Sequence, residues 1–123
     1  MTPPSLNHAG FATGAVLAAV SVVAGAFGAH GLEERLSAAN LALWETAARY
    51  LMYCALGMML AALAGAGRAV VGLLVSGGVV FSGTVFLLAL GGPRWFGAVT
   101  PLGGLALIVG FLLLAWQVLR ARS

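Results

Sequence analysis

The chain has 123 residues, of which 62% are hydrophobic and only 7% charged, with a net charge of +3. A soluble domain carries about 25% charged residues, and one this small has too little interior to hide so much apolar surface. A soluble fold is therefore excluded. So is nucleic-acid binding, because the six basic residues, all arginine, are scattered at segment ends and form no cluster that would track phosphates.

Four uncharged runs carry the organisation: Thr2 to Leu32 (two histidines aside), Tyr50 to Gly67, Ala69 to Pro93, and Trp95 to Leu119. A spanning helix needs about 20 largely apolar residues. A transmembrane barrel needs alternating polarity instead, and these runs are apolar on every side. The sequence predicts an all-α membrane protein of four transmembrane helices near 6–28, 42–65, 69–90 and 101–120. These form a compact antiparallel bundle in a single domain over 1–123.

The first helix carries small residues at three- or four-residue spacing: Gly10, Gly14, Ala18, Ser21 and Gly25. Such a stripe lets another helix backbone approach closely where lipid removes the hydrophobic drive. Ala24-Gly25-Ala26 resembles a signal-peptide cleavage site, but no Lys or Arg precedes the apolar run, so the helix is expected to be retained. Between the first two helices, Leu32, Leu36 and Leu43 fall on one face and Glu33-Glu34-Arg35 on the other. That pattern fits a short amphipathic segment in the membrane interface, or a polar loop.

The second helix alone has charge within its pattern. Glu45 and Arg49 are four apart and meet on one face, with Trp44, Tyr50 and Tyr53 around them as an interfacial belt. The third helix offers the small residues Gly72, Ser76 and Gly83 and ends at Gly91-Gly92-Pro93, which supplies positive φ and then a stop. For the fourth, Thr100 is the expected N-cap and Pro101 the first helical residue, with Gly103, Ala106, Gly110 and Gln117 on one face. Every helix except the second thus carries a smooth stripe. Four spans put both termini on one side, with Arg68, Arg120 and Arg122 against Arg35 and Arg94, Arg49 lying just inside the membrane; by three to two the positive-inside rule mildly favours cytoplasmic termini.

Few groups can carry chemistry. His30 reads as a metal ligand, proton relay or lipid-headgroup contact, or as a cation capping a helix C-terminus. Glu45 and Arg49 read as a functional intramembrane pair or a structural ion pair. Cys54, four residues after Tyr50, reads as a soft ligand beside His30 or as a small buried hydrophobe. His8 reads as an interfacial residue. The chain has no Asp or Lys, a single cysteine, and no phosphate-cradling or nucleophile motif. No cofactor, metal site or catalytic residue is expected.

The motifs also resemble a family. Gly25-Ala26-Phe27-Gly28-Ala29-His30-Gly31-Leu32, Trp44-Glu45-Thr46-Ala47-Ala48-Arg49-Tyr50, Phe81-Ser82-Gly83-Thr84 with Leu87-Leu88-Ala89-Leu90-Gly91, and Thr100-Pro101-Leu102-Gly103-Gly104 are similar, in order, to those of domain-of-unknown-function family 423. The resemblance covers essentially the whole chain. It implies four spanning helices in a cell membrane, here the bacterial inner membrane, and implies no activity. Where that family usually reads His-Ala-Leu this chain has Cys54-Ala55-Leu56, so a shared two-histidine site would keep only His30.

Three functions fit. Small-residue stripes and minimal loops favour a non-enzymatic homo-oligomer or an accessory subunit of a membrane complex. The cluster of His30, Glu45 and Arg49 near one membrane face would suit an oligomeric transporter or channel. His30, Tyr50 and Cys54 would suit a metal- or cofactor-binding protein.

Overall fold

A computed structural model of the chain describes residues 6–121. Its four helices are α1 (His8–His30), α2 (Ala38–Leu63), α3 (Arg68–Ala89) and α4 (Phe96–Ala121). Each is long and apolar enough to cross a membrane. They follow one another as neighbours: α1 packs on α2, α2 on α3 and α3 on α4, so α1 and α4 lie at the edges of the assembly.

The helix starts differ from the sequence expectation, and hydrogen bonds explain why. Ser37 accepts from Asn40 N–H at 3.1 Å and begins α2 at Ala38 rather than 42. The connecting segment keeps a single turn, in which Leu32 C=O accepts from the N–H groups of Arg35 and Leu36. Leu32 is buried and Leu36 half-buried there, while Leu43 stays exposed. Helix α4 begins at Phe96, not 101. The N–H groups of Phe96, Gly97 and Ala98 bond the carbonyls of Pro93, Arg94 and Trp95, so a helical turn is already wound before Pro101 arrives. Thr100 is inside the helix and donates to Phe96 C=O at 2.9 Å instead of capping it. Pro101 is therefore the sixth residue of α4, inside the helix, and withholds the bond its N–H would make to Gly97 C=O.

Two glycines make the sharp turns. Gly65 has φ +68° after α2 and Gly91 φ +92° after α3. In each case the next residue's N–H reaches back to a carbonyl of the last helical turn, Ala66 to Ala61 and Gly92 to Leu87. Both are glycine-terminated ends of the kind that only a residue without a Cβ adopts cheaply. Helix α1 opens on Asn7, whose side chain accepts from Gly10 N–H at 2.9 Å. At the start of α3, Gln117 from α4 reaches across to accept from Gly67 N–H at 2.9 Å.

The core is small and lies where α2, α3 and α4 meet: Cys54, Met58, Ala61, Val70, Leu74 and Leu107. Contrary to the sequence expectation, α2 is the smoothest helix of all. Ala47, Ala48, Ala55, Ala61 and Ala62 are buried, together with Gly57. Alanine brings backbones nearly as close as glycine and keeps full helix propensity, which suits the helix with neighbours on two sides.

Candidate functional site

Antiparallel packing gathers the motif residues at one end of the assembly. Trp44 is the centre of that end. Its indole N–H donates to Ala24 C=O at 2.7 Å, and its ring meets Phe27 and Phe86 edge to face, with centroids at 6.2 and 4.6 Å. Gly28 lies against it so closely that a Cβ would come 2.6 Å from the indole Cδ1. Gly28 is thus required by Trp44, and three helices are tied by one ring. Nearby, Ser21 donates to Ala48 C=O at 2.6 Å and pins α1 to α2. Thr84 and Thr100 share a hydrogen bond of 2.6 Å and pin α3 to α4.

The polar candidates do not converge. His30 is exposed at the end of α1, where the carbonyl of Phe27 is already taken by the N–H groups of Gly31 and Leu32. Glu45 and Arg49 are both exposed on α2 and, among the described residues, form no ion pair with each other. Tyr50 stacks near Tyr53 and Phe81, with centroids at 5.2 and 4.8 Å. Cys54 is 0% exposed in the core, far from His30 at the helix end, and donates to Leu74 C=O at 3.1 Å. No three potential metal ligands gather among the described residues. His8 is exposed at the opposite end of α1.

The small residues sort into two groups. A Cβ on Gly14 would meet Ala55 C=O at 2.7 Å, one on Gly103 would meet Gly77 C=O at 2.9 Å, and one on Gly110 would meet Leu74 Cδ2 at 3.0 Å. Gly10 lies against its own cap, Asn7, and Ala18 is half-buried. Gly25, Gly72 and Gly83 instead face open space, with nothing within 4 Å of where a Cβ would stand. Two glycines that sequence reasoning missed make the tightest approaches of α3: Gly77 to the backbone of α4 at Leu107 and Gly103, and Gly78 to Cys54. Their adjacency is the available signal, since side-by-side glycines serve two neighbouring helices at once.

Outside, a concavity of about 300 Å³ lies between α3 and α4 beside Ser76, Gly77 and Ala106, and two others bear on the site. One, of about 230 Å³, lies between α1 and α3 and is lined by Leu17, Val20, Leu51, Val79, Ser82, Gly83 and Phe86. Ser82, which the sequence presents only within the Phe81-Ser82-Gly83-Thr84 motif, is 1% exposed, and among the described residues its Oγ has no hydrogen-bond partner. That is unusual in this chain, because Ser76 and Thr100 each donate to a carbonyl one turn back and Thr84 then donates to Thr100. The other, of about 360 Å³, lies between α2 and α4 over Phe81 and is walled largely by aromatic rings.

Four apolar helices with tight interior contacts and polar groups gathered at their ends define a small polytopic helical membrane protein. The chain belongs to the family described as "Protein of unknown function (DUF423)", whose profile matches residues 24–104. It is similar to a UPF0382 membrane protein of Staphylococcus saprophyticus, 45% identical over 106 residues, covering 82% of this chain and 88% of the relative. A UPF0382 membrane protein of Staphylococcus epidermidis is 41% identical over 112 residues, covering 87% and 92%. The UPF0382 membrane protein YwdK of Bacillus subtilis is 39% identical over 108 residues, covering 82% and 88%. No solved structure matches the chain.

Proposed function

We propose that this protein acts without chemistry of its own, by lateral association in a bacterial membrane, and that its first partner is a second copy of itself seated on the α1/α3 face. The observation that carries the proposal is the buried, unpartnered Ser82 hydroxyl in an open groove. A hydroxyl left without a partner in apolar surroundings is costly; it is covered in the single chain, and turning about χ1 into the groove that Ser82 lines would let a neighbouring helix supply the missing bond. The surface beside it is smooth: Gly72, Ser76, Val79 and Gly83 follow the spacing of one outward stripe on α3, with open space at both glycines. Small residues one turn apart are what a closely crossing membrane helix requires. A closed two-fold pair would bring the same stripe of each copy together.

Native mass spectrometry of the full chain, extracted gently from its own membranes, tests this. A homodimer or higher homo-oligomer is expected, reduced to monomer by Gly83→Leu. A bare monomer overturns the proposal. A stoichiometric foreign polypeptide with no second copy also overturns it, in favour of an accessory subunit.

A further inference from the structure

The cleft between α2 and α4 has a direction. Ser21 bonds the carbonyl of Ala48, which puts Arg49 level with Ser21, nine residues before the end of α1 at His30. At 1.5 Å per residue that is about 13 Å in from the helix end. Arg49 is exposed there, and neither Glu45 nor any other described acid pairs with it. An unpaired guanidinium at that depth must reach up to the headgroups or draw an anion down. Arg49 is not itself among the residues that line the cleft; it stands one turn before Tyr53, which is, on the same helical face. Tyr50 and Tyr53, two amphipathic rings, stand beside Phe81 at the upper end of the cleft. Further in, the lining turns wholly apolar with Leu107 and Phe111; the Phe111 ring packs over Gly57, seven residues below Tyr50. The polar-to-apolar run is therefore about 10 Å long.

We infer that the α2/α4 cleft is a binding site for one anionic membrane phospholipid, its phosphate held by Arg49 with the Tyr50 and Tyr53 hydroxyls, its acyl chain lying over Phe81 towards Phe111. The charge fixes the headgroup class, because a lone cation with no protein partner complements a net negative lipid and gains little from a zwitterionic one. Guanidinium suits this role, since its planar fork takes two phosphate oxygens at once. The concavity fixes the tail, because α3 holds α2 and α4 apart over Phe81. Gly104 keeps the slot open: a Cβ there would meet only the Phe81 ring, at an ordinary 3.4 Å. A larger side chain at Gly104 would enter the cleft without striking backbone. This site is separate from the α1/α3 face and does not depend on self-association.

The test uses the full chain reconstituted in vesicles of mixed phosphatidylglycerol and phosphatidylcholine, then native mass spectrometry of the lipid that stays bound after gentle extraction. Wild type is expected to retain phosphatidylglycerol in preference to phosphatidylcholine, about one molecule per chain. Arg49→Gln should lower that retention about tenfold, the loss of one charge-assisted bond to phosphate, with Arg49→Lys keeping most of it. Gly104→Leu should displace both lipids while far-UV circular dichroism stays unchanged. Equal retention of the two lipids by wild type overturns the inference. So does undiminished phosphatidylglycerol on Arg49→Gln.

Discussion

Gly78→Ala tests the packing of α2 on α3 at its tightest point. A Cβ built on Gly78 falls within contact distance of both Sγ and Cβ of Cys54. Cys54 cannot retreat. It is 0% exposed, its thiol is committed to Leu74 C=O at 3.1 Å, and its neighbours Met58 and Leu74 are 1% and 0% exposed. Forcing one methyl into a filled core costs about 1–3 kcal/mol. Helix propensity acts the other way, since Gly→Ala in a helix gains about 0.5–1 kcal/mol, so the net loss is expected near 1–2 kcal/mol. Replacing Cys54 by Ala removes Sγ but leaves Cβ and should relieve the clash only in part. Cys54→Gly removes both and should relieve it fully, giving a coupling of about 1–3 kcal/mol in the double-mutant cycle. Reversible unfolding in mixed micelles, followed by far-UV circular dichroism, measures all four proteins. Gly97→Ala, on α4 and facing open space, is the control and should not destabilise. Additivity of Gly78→Ala and Cys54→Gly within about 0.5 kcal/mol would refute the reasoning.

Gly103→Ala should cost more than Gly78→Ala, because its Cβ meets backbone, including Gly77 C=O at 2.9 Å, and no side-chain change should rescue it in the same unfolding assay. Thr84→Val removes the 2.6 Å bond to Thr100 between α3 and α4 and should lower stability by about 0.5–1.5 kcal/mol, with Thr84→Ser retaining most of it. Trp44→Phe keeps the ring contacts but loses the indole N–H bond to Ala24 C=O; a loss of about 1 kcal/mol is expected. Trp44→Phe/Gly28→Ala should be no worse than the sum of its single changes, because the smaller ring vacates part of the space beside Gly28.

Much of the fold was legible because a bilayer imposes simple rules. Four uncharged runs gave four spans, and Gly91-Gly92-Pro93 gave the α3 turn, with Gly91 at positive φ. Helix starts were less legible. Ser37 outcompeted later positions as a cap for α2, and the turn over 93–98 pre-wound α4, so Thr100 and Pro101 lost the role their residue types suggest. For α3, which small residues meet protein was not legible. In a membrane helix both faces are apolar, so polarity does not distinguish the stripe of α3 at Gly72 and Gly83, facing outward, from Gly77 and Gly78, facing helices. The candidate polar site dispersed for a related reason. Sequence spacing puts Tyr50 and Cys54 on neighbouring positions of one helix, but it does not reveal that α3 covers Cys54 and leaves Tyr50 at the rim of a cleft. Ser82 is visible in the Phe81-Ser82-Gly83-Thr84 motif, but its unsatisfied hydroxyl is not, since a helical serine ordinarily satisfies itself on the preceding turn.

Resonance energy transfer between copies in liposomes addresses the association claim most directly. Cys54 is fully buried, so a cysteine placed at exposed Leu119 takes donor or acceptor dye selectively. Self-association predicts transfer that persists as lipid is added at constant protein, and that Gly83→Leu and Ser82→Ala both weaken while helical content stays the same. Transfer that falls on dilution to the level of randomly mixed monomers, or that ignores both substitutions on the α1/α3 face, contradicts it.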